Sequence, residues 1–579
     1  MKSSKWILPL ALLAAAIGVA VWSLPGRERV LADLAAVREA VTRPVPKIAL
    51  IGLDGADWNV MRPLMAEGRL PVLSSLVESG ASGDLRSLRP MLSPALWTTV
   101  VTGVGAESHG VRDFVFKQPG SYAQPIVNSS VRKRLALWNI LSELDITVGV
   151  VDWYATWPAE EVNGFLVSDR IKSIGAETEG VTYPAYESLE EVLSPAKLPR
   201  TPPAPALSRL TERFDTLPPG LNKALKEDLY RYSVARSLYQ AYHPDFFAFY
   251  FKGIDAVGHF YWKYFEPTAE VYGEVSEDLI ALLGSVIPDY YELCDQLLGD
   301  FLKELDEDTT VLIISDHGFQ AFGRPDNLIF DLDRLLSVMG LLEFEDPALA
   351  GQRSERKIRM ASTRAYTHKG TQIVATFGER DRALYLNVAG RDPDGVIDEH
   401  GWRQTREEIK DRLAALRTDL GSRVFSQIRI NEQPPGESAQ QEPDLVVRLN
   451  REIAFDYELL VEGRPYSLYD VFLWEYGDIS GTHRDEGIFV ARGPAIRAGV
   501  VVDSPSLLDI APTILHLAGV PVPRDFEGQV IREMLVERGA GERLVVESYE
   551  EMIERSQLAA DDRLDEEYRD RLRALGYVE

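Results

Sequence analysis

Asp255 and His259 stand four residues apart in KGIDAVGHFYW. On a helical turn that spacing puts both side chains on one face, the usual way to aim two ligands at one ion. Asp316 and His317 follow the apolar run TTVLIIS. His483 lies in SGTHRDE, just ahead of GIFVARG, and Asp54 ends the run KIALIGL. A mixed Asp/His set suits zinc or manganese, whereas calcium and magnesium prefer oxygen ligands alone. Ser93 precedes Pro94 in LSPALWTTVVTG. Serine followed by proline and an apolar run reads as a helix N-cap with proline at the first helical position. A hydroxyl there lies beside free backbone N–H groups and the positive end of the helix dipole. It is a place to hold an anion or to stabilise an alkoxide. Each residue has a plain alternative when taken alone. Ser93 is then only a cap, Asp54 a turn acid, Asp255–His259 an ion pair, Asp316–His317 a turn and His483 a solvated loop residue. Their joint occurrence in chain order, beside the ends of several apolar runs, makes coincidence a poor account.

These side chains need elements to present them. An apolar run that stops on an acid reads as a buried strand delivering a carboxylate to the sheet's carboxyl edge, where open α/β sheets bind ligands. From Lys47 onward strands and helices alternate. LALWNILSEL is helical and VGVVDW is a strand. DFFAFYF and TTVLIIS are strands joined by a long helical stretch around Leu279 to Leu305. GIFVARG reads as the last sheet strand and LLDIAPTILHLAG as a helix. This rhythm predicts an α/β fold, a three-layer α/β/α sandwich with a mostly parallel central sheet. The catalytic domain is expected over residues 47–545, with insertions at about 155–240 and 325–470 forming a cap. The first holds the proline-rich PAKLPRTPPAPALSRL. The second holds the helix TREEIKDRLAALRTDL and the strand DLVVRL. Residues 546–579 read as a charged helical tail.

The 579 residues are 45% hydrophobic, ample for a large core, and carry a net charge of −27. That charge argues against a nucleic-acid polymer as partner, because there is no basic excess to displace counterions. It leaves a small anionic substrate open, since a metal supplies local positive charge. Cys294 is the only cysteine, so there is neither a disulfide framework nor a cysteine zinc site. Lys2 and Lys5 precede an uncharged run from Trp6 to Leu24. Residues 1–25 therefore read as a signal anchor or a signal peptide, with Gly18-Val19-Ala20 at plausible cleavage positions. An uncleaved anchor would fasten the chain to the membrane with its lysines in the cytoplasm and the remainder outside. Cleavage would leave a periplasmic or secreted protein. Residues 26–46 are expected to be a stalk with a short helix around Val30 to Val41.

The motifs resemble those of the alkaline phosphatase superfamily, most closely its type I phosphodiesterase/nucleotide pyrophosphatase branch. In that family the first strand ends in a metal-binding aspartate, as at Asp54. The nucleophile is Thr or Ser ten residues before the glycine of a Thr-Gly pair. Ser93 stands ten before Gly103 in Thr102-Gly103, and GAESHG continues the pattern. The family's Asp-x-x-x-His, Asp-His and late histidine match Asp255 and His259, Asp316 and His317, and His483. The resemblance implies that Asp255, His259 and His483 hold one zinc, and that Asp54, Ser93, Asp316 and His317 hold the other. Manganese is the alternative metal. Nucleotide-cleaving members carry an asparagine shortly after the closing His-Gly, where this chain has Asp113 and Phe114. A sulfatase is disfavoured, because Ser93-Pro94-Ala95 lacks the proline spacing and arginine of the formylglycine motif.

The resemblance thus implies a metal-dependent hydrolase of phosphate esters, with two zinc ions, a phosphoseryl intermediate at Ser93 and a small phosphate-ester substrate. Alternatives are a phosphotransferase acting on lipid or glycan head groups, a phosphomonoesterase, and a non-catalytic metal-stabilised binding protein.

Overall fold

Strict alternation along two neighbouring strands divides the molecule into layers. In β1, Ile48–Leu53, the side chains of Ile48 and Leu50 join one hydrophobic core, while Ala49, Ile51 and Leu53 join another. Phe246, Ala248 and Tyr250 likewise face the first core from the strand Phe246–Phe251, and Phe247, Phe249 and Phe251 the second. A strand buried on both faces is the mark of a sheet covered on both sides by helices. The computed structural model describes residues 28–171, 179–193, 205–212, 219–269, 272–322, 328–345, 367–375, 381–431, 442–450, 453, 458–468, 473–475, 479–536 and 543–554.

The remaining strands of this sheet are β2 Ala81–Arg86, β3 Val148–Trp153, β4 Gly164–Ser168, β5 Thr182–Tyr183, β6 Phe246–Phe251, β7 Thr310–Ile314, β8 Glu486–Arg492 and β9 Val500–Val501. Their order across the nine-stranded sheet is β9-β2-β8-β7-β1-β6-β3-β4-β5. All pairings are parallel except those of β8 with β2 and β7 and of β4 with β5. Helices α1 Ser93–Thr102, Leu137–Glu143 and Ile510–Leu517 cover the first face. Trp58–Ala66, Pro71–Ser79, Pro219–Tyr242, α2 Gly253–Phe265 and Val286–Phe301 cover the second. This is the three-layer α/β/α sandwich that the alternating pattern predicts.

Three stretches differ from expectation. Residues 155–240 are not an insertion lying over the sheet: β4 and β5 extend the sheet itself, and the helix Pro219–Tyr242 covers its second face. The strands there are five and two residues long, too short for periodicity to register beside a proline-rich stretch. The expected stalk is part of the domain from Glu28 onward. Glu28–Val30 pairs in parallel with Arg543–Val546, and the helix Leu34–Ala40 buries Val37 and ties Arg38 to the Glu143 carbonyl at 2.8 Å. Burial also continues past 546, where Tyr549 and Ile553 pack into the first core. The rest of the predicted tail, and residues 1–27, lie outside the described residues. Among the described residues no helix is long and apolar enough to cross a membrane.

The second insertion has a core of its own, built on a four-stranded antiparallel sheet and the helix Trp402–Ala415. It docks on the loop that follows α1: Lys117 pairs with Asp392, Tyr122 bonds Asn387 at 2.9 Å, and Arg112 pairs with Glu442 at 2.5 Å. Between the two units lies a cavity of about 420 Å³ edged by Arg112, Lys133, Arg429, Glu107 and Glu442.

α1 lies close against the sheet because Gly52 has no side chain. A Cβ on Gly52 would stand 2.5 Å from both the Trp97 ring and the Tyr250 Cβ. Gly52→Ala should displace Trp97 and destabilise the fold by about 1–3 kcal/mol, the usual cost of overpacking. Thermal unfolding should show a lower melting temperature, and an unchanged one would mean that α1 rides higher on the sheet.

Candidate active site

Neighbouring strands deliver the charged groups to one edge. Asp54 follows β1, Asp316 and His317 follow β7, and Asp255 and His259 lie in the first two turns of α2, just beyond β6. The Asp54 N–H donates to the Phe251 carbonyl at 2.9 Å, which fixes the register of β1 against β6 at this edge. His483 arrives from elsewhere. It lies on the strand Gly481–Arg484, paired antiparallel with Gly318–Ala321, which sets His483 opposite Phe319. The motif spacings thus become one cluster through parallel strand ends and a short hairpin-like pairing.

Asp255 Oδ1 sits at the centre. It is 3.4 Å from His259 Nε2, 3.4 Å from His483 Nε2 and 3.8 Å from His317 Nε2. His317 Nε2 is also 3.6 Å from Asp54 Oδ1 and 3.6 Å from Asp316 Oδ2. Two groups can each enclose a cation, Asp255–His259–His483 and Asp54–Asp255–His317, with ligand atoms within 4.8 Å of one another. Asp255 belongs to both, and Asp316 borders the second.

The histidines are oriented for this. Nδ1 of His259, His317 and His483 lies 3.1, 3.1 and 3.3 Å from the carbonyls of Gly481, Gly318 and Met91. A carbonyl only accepts, so each Nδ1 carries the proton and donates it. Each Nε2 then turns inward as a lone pair when the ring is neutral, the arrangement found around metal-bound histidine. His259 Nε2 and His483 Nε2 stand 3.0 Å apart, a facing of lone pairs that a cation satisfies. Asp54 Oδ1, Asp316 Oδ2 and His317 Nε2 are buried without a hydrogen bond. Buried polar atoms are rarely left so unless something else occupies their lone pairs. The donor set therefore fits a divalent metal of the zinc or manganese type.

The electrostatics agree. Burial, then Asp316 and Asp255, hold the Asp54 carboxyl well above the usual range. Burial and Asp255 push Asp316 up to about 8. Burial and the neighbouring His483 hold His317 well below an ordinary histidine, so it stays neutral. Asp255 goes the other way: burial would raise it, but His259 and His483 outweigh burial and hold it low. Two of the three carboxyls are thus costly to ionise without a cation beside them.

Ser93 is buried and is the first residue of α1, while Leu92 stands in the cap position and no side-chain cap bond forms. The expectation of a capping serine is therefore corrected: the hydroxyl is not committed to the helix backbone. The helix ends where Gly103 turns left-handed at φ 67° and its N–H closes on the Thr99 carbonyl at 3.0 Å, so the ten-residue spacing is the length of α1. Contacts bracket the serine. His483 bonds the carbonyl of Met91, two residues before it, and Trp97, one turn after it, donates to Asp54 Oδ2 at 3.0 Å.

Three supports escaped sequence reasoning. Trp97 is one, although its place in SPALW, one helical turn after Ser93, was a usable signal. Asp57 is another. It caps the helix Trp58–Ala66 through the Asn59 N–H at 2.6 Å and accepts from the Phe319 N–H at 2.9 Å, joining the Asp54 loop to the Asp316–His317 loop. The third is the Met91 carbonyl, which no side-chain pattern reports. In the stretch where nucleotide-cleaving members carry an asparagine and this chain has Asp113 and Phe114, Asp113 is partly buried and pushed up to about 7 by burial, against the Phe114 N–H and Arg382.

The model of the type I phosphodiesterase / nucleotide pyrophosphatase family matches residues 48–462. The chain belongs to this family. It is a phosphoric ester hydrolase of the phosphodiesterase kind. The matched span stops short of His483, which the fold nevertheless brings to Asp255 and His259. No curated protein matches the chain in sequence. Among solved structures it is similar to human ectonucleotide pyrophosphatase / phosphodiesterase 5, at 14% identity over 82% of this chain and 95% of that one, with a TM-score of 0.44. The murine counterpart gives 14%, 82%, 95% and 0.42. An inactive form of the murine protein in complex with AMP gives 14%, 82%, 95% and 0.43.

Since the raised carboxyls hold protons in the metal-free protein, a divalent metal must displace them, and metal affinity should rise with pH through about 8. Zinc added to chelated protein in weak buffer at pH 7 should release protons, read with an indicator dye. Binding without release would mean that Asp54 and Asp316 are not ligands.

Proposed function

We propose that this phosphodiesterase cleaves small phosphate esters with two zinc ions and Ser93 as nucleophile, on the outer side of the cytoplasmic membrane. The observation that carries the reading is the bracketing of Ser93 between the two ligand groups, through Met91 to His483 and through Trp97 to Asp54. Asp255, His259 and His483 would hold one ion, and Asp54, Ser93, Asp316 and His317 the other. When bound, such ions supply Lewis-acid charge that lowers the pKa of a coordinated oxygen and stabilises developing negative charge.

The chain's own groups do the rest. Trp97 holds Asp54 by one oxygen and leaves the other turned inward. The three backbone carbonyls hold the histidines in the tautomer that presents Nε2. Ser93 Oγ forms a bond to phosphorus as the bond between phosphorus and the leaving alcohol's oxygen breaks, and the alcohol takes up a proton. Water then displaces Ser93 from the phosphoseryl ester and restores the hydroxyl. The start of α1 adds its dipole to the stabilisation of the phosphoryl oxygens.

Because Ser93 makes no cap bond, Ser93→Ala should leave stability within about 0.5 kcal/mol. Turnover on a panel of phosphate diesters and monoesters should fall at least about 1,000-fold, and Ser93→Thr should retain measurable activity. A folded Ser93→Ala with near-native turnover would replace the covalent route by direct attack of water. Elemental analysis should find about two zinc per chain, and a fully active metal-free protein would overturn the metal assignment.

Residues Trp6–Leu24, behind Lys2 and Lys5, are the reason for placing the catalytic domain outside the cytoplasm. Protease added to intact spheroplasts should digest the chain beyond Pro25. Complete protection would locate it inside.

A further inference from the structure

Lys252 follows β6 directly and stands beside Asp54 at the same sheet edge, one residue beyond the paired Leu53 and Phe251. Alternation along β6 sends Lys252 to the face of Tyr250, which is the face that α1 and Ser93 cover. Its ammonium lies over the Tyr154 ring at 4.2 Å and the Tyr250 ring at 4.9 Å. Tyr250 in turn packs on Trp97 at 5.0 Å between ring centres, and Trp97 bonds Asp54. The amine is thus held on an aromatic shelf one ring away from the helix turn that carries Ser93.

The ammonium is held by a loose ion pair and by aromatic faces, and its N–H donors are uncommitted among the described residues. Asp152 at 3.8 Å is beyond hydrogen-bond length and already takes the Arg231 guanidinium. Asp228 accepts the backbone N–H of Lys252 at 3.0 Å, the N–H of Gly253 at 2.8 Å, the Tyr290 hydroxyl at 2.9 Å and the Arg231 guanidinium at 2.7 Å, and attracts the Lys252 amine without bonding it. No hydrogen bond to Nζ exists among the described residues. On either side of Tyr154, Asp152 at an irregularity near the end of β3 and Ala155 just beyond it stand at φ 54° and 56°, costly conformations for residues with side chains. Burial lowers the amine to about 8, against the pull of Asp169 and Asp54, so it remains mostly charged at neutral pH. A largely buried cation whose three donors meet no acceptor is left able to bind an anionic ligand.

We propose that Lys252 is a substrate-binding residue that donates to a non-bridging oxygen of the phosphate group, on the β6–β3 side of the Asp54–Ser93 pair. The inference rests on the phosphate-ester reading of the site and extends it to a residue outside the ligand set. The aromatic shelf keeps the amine in place without using its donors, so it meets the anion without first breaking an ion pair.

The test is binding of inorganic phosphate to the zinc-loaded full chain by calorimetry, for the wild type, Lys252→Met and Lys252→Arg, with zinc content measured in each. Lys252→Met should keep its zinc and weaken phosphate binding roughly 10- to 100-fold, the loss expected for one charge-assisted hydrogen bond. Lys252→Arg should fall between the two, since the charge stays but its geometry changes. A zinc-loaded Lys252→Met that binds phosphate like the wild type overturns the inference and leaves the function standing. A Lys252→Met that loses zinc together with phosphate also overturns it, because the lysine would then serve the metal site. Wild-type protein that binds no phosphate overturns the phosphate-ester reading itself. If Lys252→Met does not fold, Lys252→Met combined with Asp152→Asn removes both charges. Weak phosphate binding by that folded double variant supports the inference, and full binding overturns it.

Discussion

Three carboxyls buried at the end of three adjacent strand connections are the constraint on which this molecule turns. Oxygens of Asp54 and Asp255 lie within 4.8 Å of each other. At an effective dielectric constant of about 20, two like charges at that distance repel by roughly 3–4 kcal/mol, before the cost of removing either from water. Among the described residues no lysine or arginine is hydrogen-bonded to these three carboxyls, and Lys252 only borders Asp54. The chain has instead three histidines whose Nδ1 protons are given to backbone carbonyls. Burial keeps His317 neutral, so it cannot cancel the charge, and His259 and His483 offset it only at Asp255. The set is self-consistent only with a divalent cation or with bound protons, and the mutual repulsion together with burial raises Asp54 and Asp316 above the usual carboxylate range.

The fold follows from the need to hold that repulsive group rigidly. Parallel strands run in register, so one residue beyond β1 and β6 and two beyond β7 place Asp54, Lys252 and Asp316 side by side without any loop having to find its way. Asp57 then locks two of those loops to each other, and Trp97 locks the first loop to α1. The stability of the nine-stranded core is what allows charged groups to be kept in an unfavourable arrangement, as strained active sites generally require.

What the sequence made legible was whatever is local. The apolar runs that stop on Asp54 and just before Asp316 are strands, the four-residue step from Asp255 to His259 is a helical face, and the ten residues from Ser93 to Gly103 are one helix. His483 was legible as a motif but not as a position, because its place depends on antiparallel pairing with a strand more than a hundred residues away. The extent of the sheet was harder. β4 and β5 are too short to announce themselves, and a first strand of three residues at Glu28–Val30 cannot be told from a linker until its partner at Arg543–Val546 is known. The capping role of Ser93 failed for a finer reason. The Leu92 carbonyl takes the first helical N–H, from Leu96 at 3.0 Å, which places the serine inside the helix and leaves its hydroxyl without a cap bond.

That one-residue shift bears on the chemistry. A serine that caps a helix spends its oxygen as an acceptor for a backbone N–H, and attack on phosphorus would first have to break that bond. A serine at the first helical position retains the helix dipole without that hydrogen bond. The chain on either side of it is anchored from two directions: the Met91 carbonyl held by His483, and the Trp97 indole held on Asp54. Both anchors are attached to residues of the ligand groups. The backbone that carries Ser93 is therefore coupled to the same side chains that would bind the metals, so the proposed nucleophile and the proposed metal ligands are held to one frame.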